Sequence, residues 1–140
     1  MSVTKALQQF PKDLQAVLQG ATSAGVYQGE APRDASGVVR AVHPFAVYTC
    51  FMRSPDDEEG SFTADLIVDV WALDRWAAAY EVAGEIHDAI DGANALLASG
   101  SVTIDANGAT LAPQAPDPEN ERVRRLRSQY VVVLHPRIDY

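Results

Sequence analysis

Between Ser61 and Gly92 the chain reads SFTADLIVDVWALDRWAAAYEVAGEIHDAIDG, a strictly alternating segment that passes almost directly into a repeat of three- and four-residue steps. Successive strand residues take opposite faces, so Phe62, Ala64, Leu66, Val68 and Val70 share one face and Thr63, Asp65, Ile67, Asp69 and Trp71 the other. The first face calls for a core; the second is mixed. After Asp74, a candidate N-cap, the residues Trp76, Tyr80, Ala83, Ile86, Ile90, Ala93 and Leu97 form the stripe that a helix buries against a sheet. Two one-sided elements joined this closely predict a helix lying across the sheet that contains its own strand.

The rest of the chain supplies partners for both. Val3, Leu7, Phe10, Leu14 and Val17 predict helix over residues 3–19, in which Pro11 either kinks one helix or sits in the first turn of a second. Gly20 and Gly25 bracket a turn before a short strand at Val26 and Tyr27. Residues 28–43, with Gly29, Pro32, Asp34, Ser36 and Gly37, predict a long loop. The run FAVYTCFMR predicts a strand over 45–53, and the acidic SPDDEEG predicts the tip of an antiparallel hairpin joining it to 61–71. Asn107-Gly108 lies between two β-prone runs and predicts a small hairpin. PQAPDPENE reads as a solvated loop. RVRRLRSQYVVVLHP reads as a last strand with Leu126, Tyr130, Val132 and Leu134 on one face, ended by Pro136. No repeat or break in composition divides the chain. The expectation is a single α+β domain over residues 1–140, an antiparallel or mixed β-sheet with two helices packed mainly on one face.

With 47% hydrophobic and 21% charged residues among 140, the chain is too apolar for disorder and long enough to bury a core. No apolar run approaches the roughly 18 residues needed to cross a bilayer, and MSVTKALQQF lacks the apolar centre of a signal peptide, so the expected setting is the cytoplasm, without a membrane partner. The net charge of -8 argues against sequence-independent nucleic-acid binding, which depends on Lys and Arg neutralising phosphates. The same acidity suits a channel through which DNA slides without sticking. The one cysteine, Cys50, has no internal disulfide partner and reads as a small core residue.

Motifs for chemistry are sparse. A glycine-rich phosphate loop, a Gly-x-Ser-x-Gly elbow and a His-Glu-x-x-His helix are all absent, so no catalytic residue, cofactor or metal is assigned and the chain is read as a non-enzyme. His87 and Asp91 stand four apart on the long helix, a spacing that can hold a metal but more often marks a solvated face. His43 and His135 adjoin prolines without further ligands at suitable spacing. Asp56, Asp57, Glu58 and Glu59 carry oxygens enough for a cation but lack the spaced ligands of a calcium loop. They form either a solvated tip or, in an oligomer, a ring of tips facing a lumen or a basic surface. Arg122, Arg124, Arg125 and Arg127 are the one basic cluster. Alternation puts Arg125 and Arg127 on one face and Arg122 and Arg124 on the other, for cross-strand pairing with Asp65 and Asp69, for plain solvation, or for contact with a neighbouring subunit's acidic loops. Trp71, opposite the aliphatic core, either seals the fold's edge or anchors an interface.

A strand ending Val-Asp-Val-Trp followed by a helix reading A-A-A-Y-E-V-A-G-E-I-H-D-A-I-D-G resembles the tail-completion, or tail-terminator, family of long-tailed bacteriophages and related gene-transfer particles. The likeness extends to the N-terminal helix, to Val26–Phe51 and to the late strand Arg122–Leu134. It implies a structural virion protein that sits as a ring, typically of six copies, on the head-proximal end of a finished tail tube. There it would stop polymerisation and offer the joining surface to the head. Its partners would be further copies of itself, the tail tube protein and a head-completion or connector protein, with DNA passing through unbound. A head-completion or connector protein is the alternative, and a cytoplasmic small-ligand module or enzyme is a third reading that would need a closed apolar pocket near His87 or Cys50.

Overall fold

Residues 3–52, 62–91, 102–115 and 120–136 are described by the computed structural model. The elements run α1 (Val3–Ala21), β1 (Gly25–Gln28), β2 (Phe45–Met52), β3 (Phe62–Leu73), α2 (Trp76–Asp91), β4 (Val102–Pro113) and β5 (Val123–Pro136). They build a five-stranded sheet in the order β1-β2-β3-β5-β4, with β1 parallel to β2 and every other pair antiparallel. The alternating segment at the centre of the sequence is the centre of the sheet.

One face of this sheet carries the core. Ala64, Leu66, Val68, Val70 and Ala72 of β3, flanked by Ala46 and Tyr48 of β2 and by Leu126, Tyr130 and Val132 of β5, meet Phe10, Leu14 and Leu18 of α1 and Ala79, Val82, Ala83, Ile86 and Ile90 of α2. Both helices therefore lie on the same side. Pro11 stands inside α1, which remains one helix. An interior proline costs about 3 kcal/mol, and burial of Phe10, Leu14 and Leu18 at about 1.5–3 kcal/mol each outweighs it.

Along α2 the stripe is shifted from the expected one. Tyr80 is 44% exposed while Ala79 and Val82 face the sheet. Trp76 and Tyr80 instead touch each other along the flank, ring centroids 6.4 Å apart, as residues one turn apart do. Ala93 and Leu97 lie outside the described residues.

Asp74 is not the N-cap. Arg75 precedes the first helical residue, and Asp74 lies in the left-handed region at φ 62, where the bond from Arg75 N–H to Leu73 C=O (2.7 Å) closes a γ-turn around it. Asp tolerates this conformation better than most residues, and the turn lets a strand enter a helix with one intervening bend. The Asp74 N–H is also taken, by the Arg122 carbonyl at 2.7 Å.

β4 replaces the expected small hairpin. Val102 to Asn107 pairs with Pro136 to Val131, and Thr110 to Pro113 pairs with Gln129 to Leu126, with a register shift between Asn107 and Thr110. Asn107-Gly108 thus marks a bulge in one continuous strand. A hairpin would pair each half only with the other, whereas β5 offers a partner to both halves at once.

The long connection 29–44 follows from topology. β1 and β2 are parallel, with Gly25 opposite Phe45 and Gln28 opposite Tyr48, and a parallel pair needs a return path of a dozen or more residues. This path crosses the sheet face opposite the helices. There Ala31 and Ala41 pack with Phe45, Val47, Tyr27 and Trp71 in a second, smaller apolar cluster.

The two sheet edges differ. On β1 the outward Val26 N–H donates to Gln19 Oε1 (3.2 Å), and Gln15 Nε2 donates to the Val26 carbonyl (3.0 Å). Gln19 Nε2 also donates to the Ala24 carbonyl (3.1 Å), and the Gln28 carbonyl accepts from Glu30 N–H (3.0 Å). Side chains of α1 stand where a sixth strand would bond, so this edge is closed to strand addition. The buried Tyr48 hydroxyl fixes the device by donating to Gln15 Oε1 at 2.6 Å.

Candidate assembly surface

The face opposite the helices is built in rows set by register. Phe51, Asp65 and Val131 form one row, Thr49, Ile67, Gln129 and Thr110 the next, Val47, Asp69 and Arg127 the third, and Phe45, Trp71 and Arg125 the last. Polarity changes along these rows.

At the last row Trp71 stacks on Phe45, centroids 5.4 Å apart and planes 14° from parallel, and the Arg125 guanidinium carbon sits 5.2 Å from the centroid of the Trp71 ring. Trp71 therefore packs against the small cluster beneath the 29–44 connection. Beside it Asp69 is nearly buried and takes two arginines. Arg127 Nε and Nη2 donate to its two oxygens at 2.9 and 3.1 Å, and Arg125 Nη2 donates at 3.0 Å. Hydrogen bonding to Asp69 holds the Arg127 guanidinium above its ordinary pKa. Two guanidinium groups on one carboxylate leave one positive charge at the surface, and the buried Arg125 Nε has no hydrogen-bond partner.

Asp65 does not join them. It lies opposite Phe51 and Val131, four residues along the strand from Asp69. Arg122 reaches back to the β3–α2 turn, donating from Nε and Nη2 to Asp74 at 2.9 and 2.6 Å. The bond from Arg122 holds the Asp74 carboxyl below its ordinary pKa. Arg124 donates to the Glu121 carbonyl. The basic cluster is thus split among three sites, with Arg125 and Arg127 together on the face opposite the helices. Asp56, Asp57, Glu58 and Glu59 lie outside the described residues.

His43, His87 and Cys50 belong to packing, while the side chain of His135 lies outside the described residues. His87 Nδ1 is 3.2 Å from the Tyr130 hydroxyl, and the rings stack at 5.8 Å. His43 lies against Phe45, centroids 5.0 Å apart, and burial lowers its pKa. Burial, with the Asp65 charge added, pushes the Cys50 thiol up from 9.0 to about 11. The enclosed space beside Cys50, lined by Phe10, Leu14, Val17, Leu66, Ile90 and Val132, is about 10 Å³. It admits at most one water molecule, so no small ligand fits there. Among the described residues no three of His, Cys, Asp or Glu converge on a point that could hold a metal ion.

Two features of this surface were not anticipated from the sequence. One is an arm within the long connection. An isolated bridge pairs Arg33 with Val39, and Asp34 holds the turn between them, its carboxylate accepting from Ser36 N–H (2.9 Å) and Val38 N–H (3.0 Å). Gly37, at φ 81, completes that turn. The arm leaves Val38 60% and Val42 83% exposed. The other feature is a groove of about 450 Å³ at the far end of the same face, lined by Phe51, Asp65, Ile67, Thr110, Gln129 and Val131. The run VVRAV between Gly37 and Pro44 was the signal available for the arm. The groove had none, because its walls come from four strands.

No protein-family model matches the chain, and no curated protein matches it. Among solved structures it is similar to a chain in the virion of a native gene transfer agent (GTA) particle, with a TM-score of 0.54 and 20% identity over 92% of this chain and 90% of that one. At that identity the likeness is one of fold.

Proposed function

We propose that this chain is a structural component of a virion, of a bacteriophage or of a gene-transfer particle. The observation that carries the reading is the fold shared with a GTA virion chain along nearly the full length of both. The surface supports it. On the face opposite the helices Asp69 is taken by Arg125 and Arg127, and the enclosed space beside Cys50 holds no ligand-sized volume.

Within the particle the role proposed is that of tail terminator, on the resemblance of residues 61–92. Copies form a ring, six in the family pattern, that caps the completed tube, stops its growth and receives the head. The chain makes and breaks no covalent bond in this role; contacts alone perform it. Its net charge of -8 suits a lumen that passes DNA without holding it. Electron microscopy of the purified protein with tail tubes tests this reading, with rings expected at tube ends. A strain lacking the gene is expected to accumulate filled heads and unjoined, overlong tails. Joined particles with tails of normal length would reject the terminator role, and tails of normal length with unjoined heads would assign the chain to the connector level instead.

A further inference from the structure

The connection between β1 and β2 is ordered from within and held to the fold by little. Inside residues 31–42, backbone bonds run from Asp34 N–H to Val38 C=O (2.9 Å), from Gly37 N–H to Asp34 C=O (3.0 Å) and from Arg40 N–H to Pro32 C=O (2.8 Å). Side chains close the same unit. The Asp34 carboxylate accepts from Ser36 and Val38 N–H, Arg33 donates to the Gly37 carbonyl at 2.8 Å, and Arg40 Nε stands 3.5 Å from Asp34. Every one of these partners lies inside the segment. Among the described residues no hydrogen bond or ion pair joins 31–42 to the sheet or to a helix.

What holds the segment down is apolar and small. Ala31 and Ala41 pack into the cluster of Phe45, Val47, Tyr27 and Trp71, while the larger apolar side chains face water, Val38 at 60%, Val39 at 36% and Val42 at 83% exposure. Apolar stabilisation follows the area removed from water, so two methyl groups anchor far less than three valines would. The two ends are better fixed. Gly29 N–H donates to the Tyr48 carbonyl at 2.9 Å, and the His43 ring lies against Phe45, centroids 5.0 Å apart. A segment with internal bonding, anchored ends and a lightly held middle opens without breaking its own hydrogen bonds. Regions with few buried apolar contacts are the ones that open below the global transition.

We propose that residues 31–42 act as a hinged strap, which turns off the sheet face about Gly29 and His43 as a preformed unit and uncovers Phe45, Val47 and Trp71. With the strap closed, Phe45 is 3% and Val47 9% exposed. With it open, this end of the face presents a contiguous apolar row in which Trp71 stacks on Phe45 and Arg125 lies over the Trp71 ring. The strap therefore switches that row between covered and exposed without unfolding the sheet. The device belongs to a single copy and does not depend on the role of the chain in a virion.

The test places a thiol beneath the strap with Val47→Cys in the full-length chain and follows its modification by an aromatic disulfide reagent, read by peptide mass so that Cys50 is scored separately. In water the rate at position 47 is expected to exceed the rate that global unfolding allows by about 100-fold or more. Because opening exposes little surface, that rate should change less than about twofold with urea below the unfolding transition. Ala41→Asp puts a charge under the strap and is expected to raise the rate at position 47 about tenfold further. A rate that climbs with urea along the line of global unfolding would overturn the strap, and so would a rate that Ala41→Asp does not raise. Modification as fast as in the unfolded chain would overturn it too, since nothing would then cover position 47. If either variant loses its cooperative unfolding transition, Ala41→Gly in a Trp76→Phe chain takes its place, with acrylamide quenching of Trp71 as the readout. Stronger quenching at an unchanged unfolding midpoint supports the strap, and unchanged quenching rejects it.

Discussion

The two faces of β3 are made by the same twelve residues and solve opposite problems. Toward the helices, Ala64, Leu66, Val68, Val70 and Ala72 are buried to 1% or less, and their contribution comes from apolar area removed from water. Toward the other side, Thr63, Asp65, Ile67 and Trp71 are half-buried, and Asp69, at 9% exposure, is kept there by two arginines. On β3 the first face carries only apolar side chains. The second uses polarity as structure at one end and leaves a groove at the other.

The largest expected consequence is at Leu66. Leu66→Ala should lower the free energy of unfolding by about 2–5 kcal/mol, and Ile67→Ala, one residue away on the other face, by only about 1 kcal/mol. Denaturant titration of both checks the contrast, and equal losses would erase the distinction between the faces.

Cys50 probes the same face by chemistry. Because only the thiolate is nucleophilic, a thiol raised from 9.0 to about 11 holds about 100-fold less thiolate at pH 8. Alkylation of the folded protein should be slower than that of the unfolded chain by at least this factor, and should rise about tenfold per pH unit until near pH 11. A rate that levels off near pH 9 would show that the thiol is not held in the core.

On the opposite face, Asp69→Asn removes the charge shared by Arg125 and Arg127. The expected loss is about 2 kcal/mol, near the middle of the range for hydrogen bonds to charged groups, because both arginines remain about one-third exposed and water compensates in part. A loss under about 0.5 kcal/mol would mean that the cluster is only a solvated surface pair.

The smallest effect has the opposite sign. Ser128 is 1% exposed on the helix-covered face, and its hydroxyl has no hydrogen-bond partner. Ser128→Ala should stabilise the fold by about 1 kcal/mol, as removal of an unsatisfied buried hydroxyl does. Destabilisation would show that the hydroxyl is bonded in solution.

What the sequence determined by itself is what periodicity encodes. The alternation of 62–71, the apolar steps of 3–17 and 76–90 and the alternation of the last strand each report burial relative to an element's own axis. They therefore yielded two helices, the β2–β3 hairpin and an α+β sheet covered on one face, before any contact was known. Tertiary structure alone decided the pairings. Local pattern could not tell that both halves of β4 would take β5 as partner in place of each other, so Asn107-Gly108 became a bulge where a hairpin was expected. Nor could it tell that β1 would run parallel to β2, which is why the connection crosses the sheet face and carries an arm. It offered Asp65 and Asp69 as equal partners for the arginines, and only register placed Asp69 opposite Arg127. Gln15 and Gln19 read as polar positions on a helix, and they became the seal of a sheet edge only because the chain brought β1 alongside α1. Periodicity is a property of neighbours along the chain, whereas these choices depend on residues far apart in sequence that compete for the same hydrogen-bonding groups.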